Sequence, residues 1–154
     1  MRIRRMPLIV FMLLGIGFAQ NLANAQTITA AEQAAVAGPW SGRWTAPEGW
    51  LYEAAMTLRV AASGTVDGEI NWTMRKSPRP ADQKKLGMSG MELIRGTYHA
   101  ASGAFVLEGY DKKDPNTILG LDKYRLIASD DRRTLAGVTA HHDRWNAQFW
   151  LTRN

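Results

Sequence analysis

Apolar and polar residues alternate along most of the chain, and the repeat is clearest at Val66, Gly68, Ile70, Trp72 and Met74, which are separated by polar residues. Alternation with a period of two is typical of a β-strand that buries one face. Segments of this kind, separated by turn-forming residues, predict eight strands, at residues 39–45, 51–61, 65–74, 92–100, 104–110, 117–128, 133–141 and 145–152.

The short turns between these strands indicate an all-β, antiparallel, up-and-down meander rather than βαβ units. Pairing about the turns places Gly96 opposite Leu107 and Gly137 opposite Phe149. A bulky residue beside a strand glycine is the arrangement that covers the glycine where a sheet curves. The glycines therefore favour a sheet that curls around its core into a barrel, and an open sandwich is the alternative.

A short helix is predicted before the first strand, because Thr29-Ala30-Ala31-Glu32 matches a capping box and Gly38-Pro39 stops the helix. Such a helix, followed by Gly38-Pro39-Trp40 and eight meandering strands, resembles the calycin group of barrels, which includes lipocalins and avidins. In that group a Gly-x-Trp motif opens the first strand, and a basic residue at the end of the last strand lies across the tryptophan. Arg153 is the matching residue here.

The resemblance covers residues 26–154 and implies an eight-stranded barrel in which Arg153 makes a cation–π contact with Trp40. Neither a biotin-binding constellation nor the lipocalin middle-loop motif can be placed in the sequence. The resemblance therefore implies an architecture rather than a ligand.

Residues 1–25 are typical of a cleaved export signal: a basic start, an apolar run from Leu8 to Phe18 and the small-residue site Ala23-Asn24-Ala25. We expect cleavage after Ala25, a secreted or periplasmic protein with no stable membrane anchor, and one domain at 26–154. The chain has no cysteine, so neither a lipid-anchored lipoprotein nor a disulfide framework is expected.

The positive charge of the chain is partly a property of the predicted signal. The net charge is +5, and three of the nineteen basic residues lie in residues 1–25, which leaves sixteen basic against fourteen acidic residues, or +2. A charge this small does not favour a nucleic-acid partner.

Aromatic residues fall repeatedly on the predicted inner faces of the strands. An eight-stranded barrel is just wide enough to be filled by side chains or to hold one small ligand, so these residues are either core or pocket wall. The predicted inner-face set consists of nine aromatic residues and one methionine: Trp40, Trp44, Tyr52, Met56, Trp72, Tyr98, Phe105, Tyr124, Trp145 and Phe149. The candidate ligand-binding residues among them are Trp44, Tyr52, Trp72, Tyr98 and Tyr124.

A long connection between the third and fourth strands, residues 75–90, is basic and contains one acid, Asp82. Loops of this length in compact domains are usually functional or disordered. The segment is therefore either a binding lid or partner contact, or an inert mobile loop. Its candidate partner-binding residues are Arg75, Lys76, Arg79, Lys84 and Lys85.

The sequence contains no recognisable catalytic motif. His141-His142-Asp143 is the one cluster that suggests a metal or an acid–base centre, but adjacent strand residues point to opposite faces, so a solvated hairpin end is the simpler interpretation. We therefore expect no metal, no cofactor and no catalytic residue. The favoured function is a binding protein for a small apolar or amphipathic molecule; the alternative is an interaction module or inhibitor that contacts an envelope protein through residues 75–90.

Overall fold

The computed structural model describes residues 27–153 and confirms the all-β prediction, since eight antiparallel strands form a closed up-and-down barrel. The elements are α1 (Ala30–Val36), β1 (Gly38–Thr45), β2 (Leu51–Val60), β3 (Thr65–Lys76), a 3₁₀ helix (Pro80–Lys85), β4 (Ser89–His99), β5 (Ala104–Lys113), β6 (Lys123–Ala128), β7 (Thr134–His141) and β8 (Arg144–Arg153). The predicted signal, residues 1–25, lies outside the described residues. No helix within 27–153 has the length and apolarity needed to cross a membrane.

The predicted strand registers are confirmed, and glycines allow the strands to approach closely. Gly96 pairs with Leu107 and Gly137 with Phe149. A Cβ atom added to Gly137 would lie 2.0 Å from the carbonyl oxygen of Arg125 on the neighbouring strand. Only a residue without a side chain fits such a close contact, so this glycine has a structural role in curving the sheet.

Three predicted strand boundaries are wrong. The sixth strand begins at Lys123 rather than at residue 117, because 114–122 form a loop in which the Asp114 carboxylate accepts the backbone N–H groups of Ile118 and Leu119 at 3.0 and 2.8 Å. Apolar and polar residues alternate in this loop as they would in a strand, which explains why the loop is predicted to be part of the sixth strand. The fourth strand starts three residues earlier than predicted, and the fifth strand ends three residues later than predicted. The pairing between these two strands continues as far as the start of the 114–122 loop.

Trp145 does not point into the barrel, contrary to the sequence-based expectation. The register of β7 and β8 shifts between Thr139 and Ala140, so the alternation is inverted on the far side of this bulge. The Trp145 ring lies 4.3 Å from the guanidinium of Arg125, an exposed residue of β6.

Helix α1 closes one end of the barrel. The Trp40 indole donates to the carbonyl oxygen of Val36 at 3.1 Å. Arg153 lies over the Trp40 ring at 5.3 Å and donates to the carbonyl oxygens of Ala35 and Ala37 at the end of the helix. The arginine thus satisfies carbonyl groups that a helix end leaves without intrahelical partners.

Replacement of Arg153 by glutamine should destabilise the protein. Arg153→Gln removes the cation–π contact and the bonds to the helix end, so we expect the free energy of unfolding in urea to fall by about 2 kcal/mol. Arg133→Gln, at an exposed arginine of the neighbouring turn, is the matched control and should change it by less than about 0.5 kcal/mol. Equal effects of the two substitutions would contradict a sealing role for Arg153.

Candidate functional site: an aromatic pocket at the open end of the barrel

The end of the barrel opposite α1 contains a pocket of about 890 Å³. Four connections surround it and together are called the mouth: residues 46–50, 77–88, 114–122 and 142–143. Small-molecule sites in proteins usually have volumes of about 300–1,000 Å³. The size of this pocket is therefore suited to one small organic molecule.

Aromatic rings form a continuous wall on one side of the pocket. The Trp44 and Tyr52 rings meet edge to face with centroids 5.7 Å apart, and Tyr52 meets Trp72 in the same way at 6.2 Å. Hydrogen bonds hold two of these side chains: the Trp44 indole donates to Thr139 Oγ1 at 2.7 Å, and the Tyr52 hydroxyl donates to the Ile118 carbonyl at 2.7 Å. The wall is therefore held in place by the barrel before any ligand arrives.

The structure brings together three of the five predicted ligand-binding residues. Trp44, Tyr52 and Trp72 line the pocket. Tyr124 is buried beneath the pocket floor, where its hydroxyl bonds to a carboxylate. Tyr98 lies at the other end of the barrel, where its hydroxyl donates to Glu32 of α1 and where burial raises the pKa of the Tyr98 hydroxyl to about 12.

Trp50 also lines the pocket, although sequence reasoning missed it. Its ring stacks on Tyr52 with centroids 6.3 Å apart. It lies in the loop just before β2, where the alternation of apolar and polar residues ends, so the pattern that revealed the other aromatic residues does not apply to it.

Glu92 is the central residue that sequence reasoning missed. It lines the pocket from β4 and is only 2 % exposed. Glu92 lies an even number of residues before Ile94 and Tyr98, which are both buried, and this spacing places all three side chains on the inner face of the strand. The spacing could have identified Glu92, but a glutamate at the predicted end of a strand is ordinarily interpreted as a solvated charge.

The Glu92 carboxylate accepts three hydrogen bonds from neutral donors. Oε2 accepts the Trp72 indole N–H at 3.0 Å and the Tyr124 hydroxyl at 2.5 Å, and Oε1 accepts the backbone N–H of Asp122 at 3.1 Å. Burial raises the pKa of Glu92 from its usual value of 4.5 to about 7, and the three hydrogen bonds only partly oppose this shift. The pocket floor therefore carries a group that titrates near neutral pH.

A glycine and a bulge make room for this carboxylate. The ladder between β4 and β5 skips Tyr110, between Leu93 and Ile94, and so brings Gly109 beside the Glu92 side chain. A Cβ atom on Gly109 would lie 1.8 Å from Glu92 Oε1. The space for the Glu92 carboxylate thus depends on the bulge and on the absence of a side chain at Gly109.

Asp122 and the two histidines form a second polar group at the mouth. His141 Nδ1 lies 3.0 Å from Asp122 Oδ1, and burial raises the pKa of the Asp122 carboxyl. The expectation that the adjacent histidines point apart is wrong: the His141 and His142 rings meet at 4.1 Å, because His142 begins the turn with a φ of 47°. The Asp122 carboxylate thus orients the His141 imidazole at the rim of the pocket.

No group of three or more His, Asp or Glu side chains within residues 27–153 is arranged to hold a metal ion.

Gly120 allows the close approach of His141, since a Cβ atom on Gly120 would lie 2.5 Å from the imidazole ring. The imidazole is therefore packed against the 114–122 loop.

The middle of the basic segment, residues 77–88, folds over the mouth, whereas its ends, predicted to be part of the connection, belong to β3 and β4. The Arg79 guanidinium lies 5.2 Å from the centre of the Trp50 ring, and Lys85 donates to the Thr117 carbonyl at 2.9 Å. Within the segment, the Ser77 hydroxyl donates to the Asp82 carboxylate at 2.9 Å. The segment therefore covers part of the pocket and supplies two of its lining cations.

The other candidate partner-binding residues point away from the pocket. Arg75 forms an ion pair with Glu53 at 2.7 Å on the outer face of the barrel. Lys76 and Lys84 are exposed. The five basic residues of the segment thus divide between the pocket and the outer surface.

Comparison of the chain with protein-family models, with curated proteins and with solved structures finds no match. The function is therefore argued from the pocket's own geometry and chemistry.

Protonation of Glu92 should make stability depend on pH. Because the pKa is higher in the folded protein than in the unfolded chain, folding takes up a proton between about pH 4.5 and 7. The free energy of unfolding should therefore fall by up to about 3 kcal/mol as pH rises through this window.

Urea unfolding at a series of pH values measures this effect. Glu92→Gln should flatten the profile, whereas Glu69→Gln, on the outer face of β3, should preserve the wild-type profile. A Glu92→Gln profile parallel to that of the wild type would show that Glu92 does not titrate in this range.

Proposed function

We propose that this protein is an exported, non-catalytic binding protein that holds one small amphipathic molecule in the pocket at the open end of its barrel. The observation that carries the proposal is the pocket of about 890 Å³ with an aromatic wall and a polar floor. Pockets that bind small molecules combine these two features: apolar walls supply affinity and a few polar groups fix orientation.

The wall supplies apolar surface that a ligand can cover. Burial of apolar area contributes about 25 cal/mol per Å² removed from water. Trp44 and Trp50 are only partly buried in the protein itself, so a molecule in the pocket would remove part of their surface from water. The Glu92 carboxylate at the floor and the Asp122–His141 pair at the rim supply polar groups in the same pocket.

Kinship with the calycin group is part of the proposal. It is supported by the closed eight-stranded meander, by the helix before β1 and by the contact of Arg153 with Trp40 at 5.3 Å. Export is proposed from the composition of residues 1–25.

A neutral fluorescent probe, phenylnaphthylamine, tests the pocket. The purified barrel should increase the probe's fluorescence with a dissociation constant in the micromolar range. Trp44→Ala should weaken binding by about tenfold, because it removes part of the apolar wall. Trp150→Ala is the matched control, since Trp150 is 50 % exposed on the outer face, and it should leave the affinity unchanged.

Circular dichroism of both variants establishes that the barrel remains folded. The proposal is wrong if the wild-type protein fails to bind the probe. It is also wrong if both substitutions weaken binding equally, because the probe would then not be in the pocket.

The second candidate function is contact with an envelope protein through the basic segment. Lys76 and Lys84 are exposed, and Leu86 and Met88, in the same segment, are exposed apolar residues at 39 % and 38 %. Positive charge beside exposed apolar side chains suits a partner with an acidic and apolar surface.

Charge reversal separates this candidate from ligand binding. The double variant Lys76→Glu/Lys84→Glu should abolish crosslinking to any envelope partner and keep the affinity for phenylnaphthylamine, because neither lysine lines the pocket. The contact should also weaken with increasing salt. Crosslinked products that are identical in the wild type and the double variant would exclude this segment as the contact.

A further inference from the structure

The carboxylates at the two ends of the barrel differ in whether they have a cationic partner. At the closed end, Glu32 of α1 is paired with Arg132, whose Nε lies 2.9 Å from Glu32 Oε1, and it also accepts the Tyr98 hydroxyl. At the open end, Glu92 is more deeply buried, yet none of the ion pairs among residues 27–153 includes it. The protein supplies a cation for one acid and not for the other.

The charged groups around Glu92 do not compensate for its charge. Its cross-strand partner on β5, Lys112, directs its ammonium to Asp114 at 3.5 Å and to the carbonyl of the 114–122 loop. The nearest loop contributes another acid, Asp122, and His141 of β7 is paired with that acid. A carboxylate buried without a cation is unfavourable, so the floor of the empty pocket favours a positive charge.

Glu92 also keeps an unused acceptor position. Each oxygen of a carboxylate can accept two hydrogen bonds. Oε2 accepts two, from Trp72 and Tyr124, whereas Oε1 accepts one, from the backbone N–H of Asp122. Because the Trp72 indole and the Asp122 amide can only donate, these contacts are arranged for an acceptor, and one acceptor position of Oε1 is filled by no donor of the described residues.

The aromatic wall is suited to the same charge. The faces of tryptophan and tyrosine rings attract cations, and aromatic cages with a nearby acid bind ammonium groups. Trp72 belongs to both parts of the site, since its ring meets Tyr52 and its N–H contacts Glu92. Arg79, Lys85 and Arg144 also line the pocket. Arg79 and Lys85 are held at the mouth by Trp50 and the 114–122 loop, and none of the three forms one of the ion pairs found among residues 27–153 with Glu92.

We infer that the ligand is an organic amine, whose protonated nitrogen is bound by Glu92 while its apolar body contacts Trp44, Tyr52 and Trp72. This inference rests on the proposed function and adds the chemical class of the ligand. The amine supplies the cation that the fold does not provide, and the aromatic wall surrounds the carbon skeleton next to it.

Three small molecules with the same aromatic body test the inference: phenethylamine, phenethyl alcohol and phenylacetate. Binding is measured by calorimetry at about pH 8, where Glu92 is ionised. The amine should bind about tenfold or more tightly than the alcohol, and the carboxylate most weakly. Glu92→Gln should remove the preference for the amine and leave the affinity for the alcohol within about threefold of the wild type. The matched control, Glu69→Gln, should keep the preference.

A second test measures the pH dependence of binding in the wild-type protein. Between about pH 8 and pH 6 the affinity for the amine should fall by about tenfold as Glu92 takes up a proton, whereas the affinity for the alcohol should stay constant. Asp122, His141 and His142 face the same site, so the same pH series is measured on Glu92→Gln, and only the pH dependence that this variant loses is assigned to Glu92.

The outcomes separate this inference from the proposed function. If phenylnaphthylamine binds but the amine has no advantage over the alcohol at either pH, the amine inference is overturned and the pocket remains a binding site. If phenylnaphthylamine does not bind, the proposed function itself fails. If Glu92→Gln does not fold, the pH dependence of the wild-type preference decides alone.

Discussion

Closure of the sheet through the pairing of β1 with β8 is the constraint on which the rest of the structure depends. It gives every strand two neighbours and leaves no exposed sheet edge. The contact is close: a Cβ atom on Gly42 would lie 2.0 Å from the Trp150 carbonyl oxygen. The same seam brings Trp40 opposite Arg153, so closing the barrel also seals one of its ends. The other end is left to the loops.

The unequal ends explain where a function can reside. At the closed end, α1, Arg153 and the Glu32–Arg132 pair satisfy one another's polar groups. At the open end, long connections surround a cavity, and the interior acid, Glu92, accepts hydrogen bonds but forms no ion pair with the residues that the structure describes. Stability requires that buried polar groups be satisfied, whereas binding benefits from a group that a ligand completes. At the closed end the buried polar groups satisfy one another, and at the open end Glu92 is a group that a ligand could complete.

The pocket combines rigidity with an adjustable charge. The rings of its wall are held by one another and by hydrogen bonds from Trp44 to Thr139 and from Tyr52 to Ile118, so little ordering is needed when a ligand binds. Burial places the pKa of Glu92 at about 7, so small changes in pH alter the charge of the floor. In the proposed function the rings supply apolar contact and Glu92 selects the charge, and Trp72 contributes to both.

The sequence by itself determined that there are eight strands and set the registers across Gly96 and Gly137, because alternation and short turns are local features. The contact of Arg153 with Trp40 is implied by the resemblance to the calycin group, and the structure contains it. The sequence also identified most of the aromatic wall. Only the tertiary structure decided that Glu92 is buried and that Trp145 faces outward. Bulges invert the alternation without a sequence signal, and a pocket forms where loops distant in the chain meet. The burial of an acid depends on which donors those loops bring to it, and that is a property of the closed barrel rather than of any one segment.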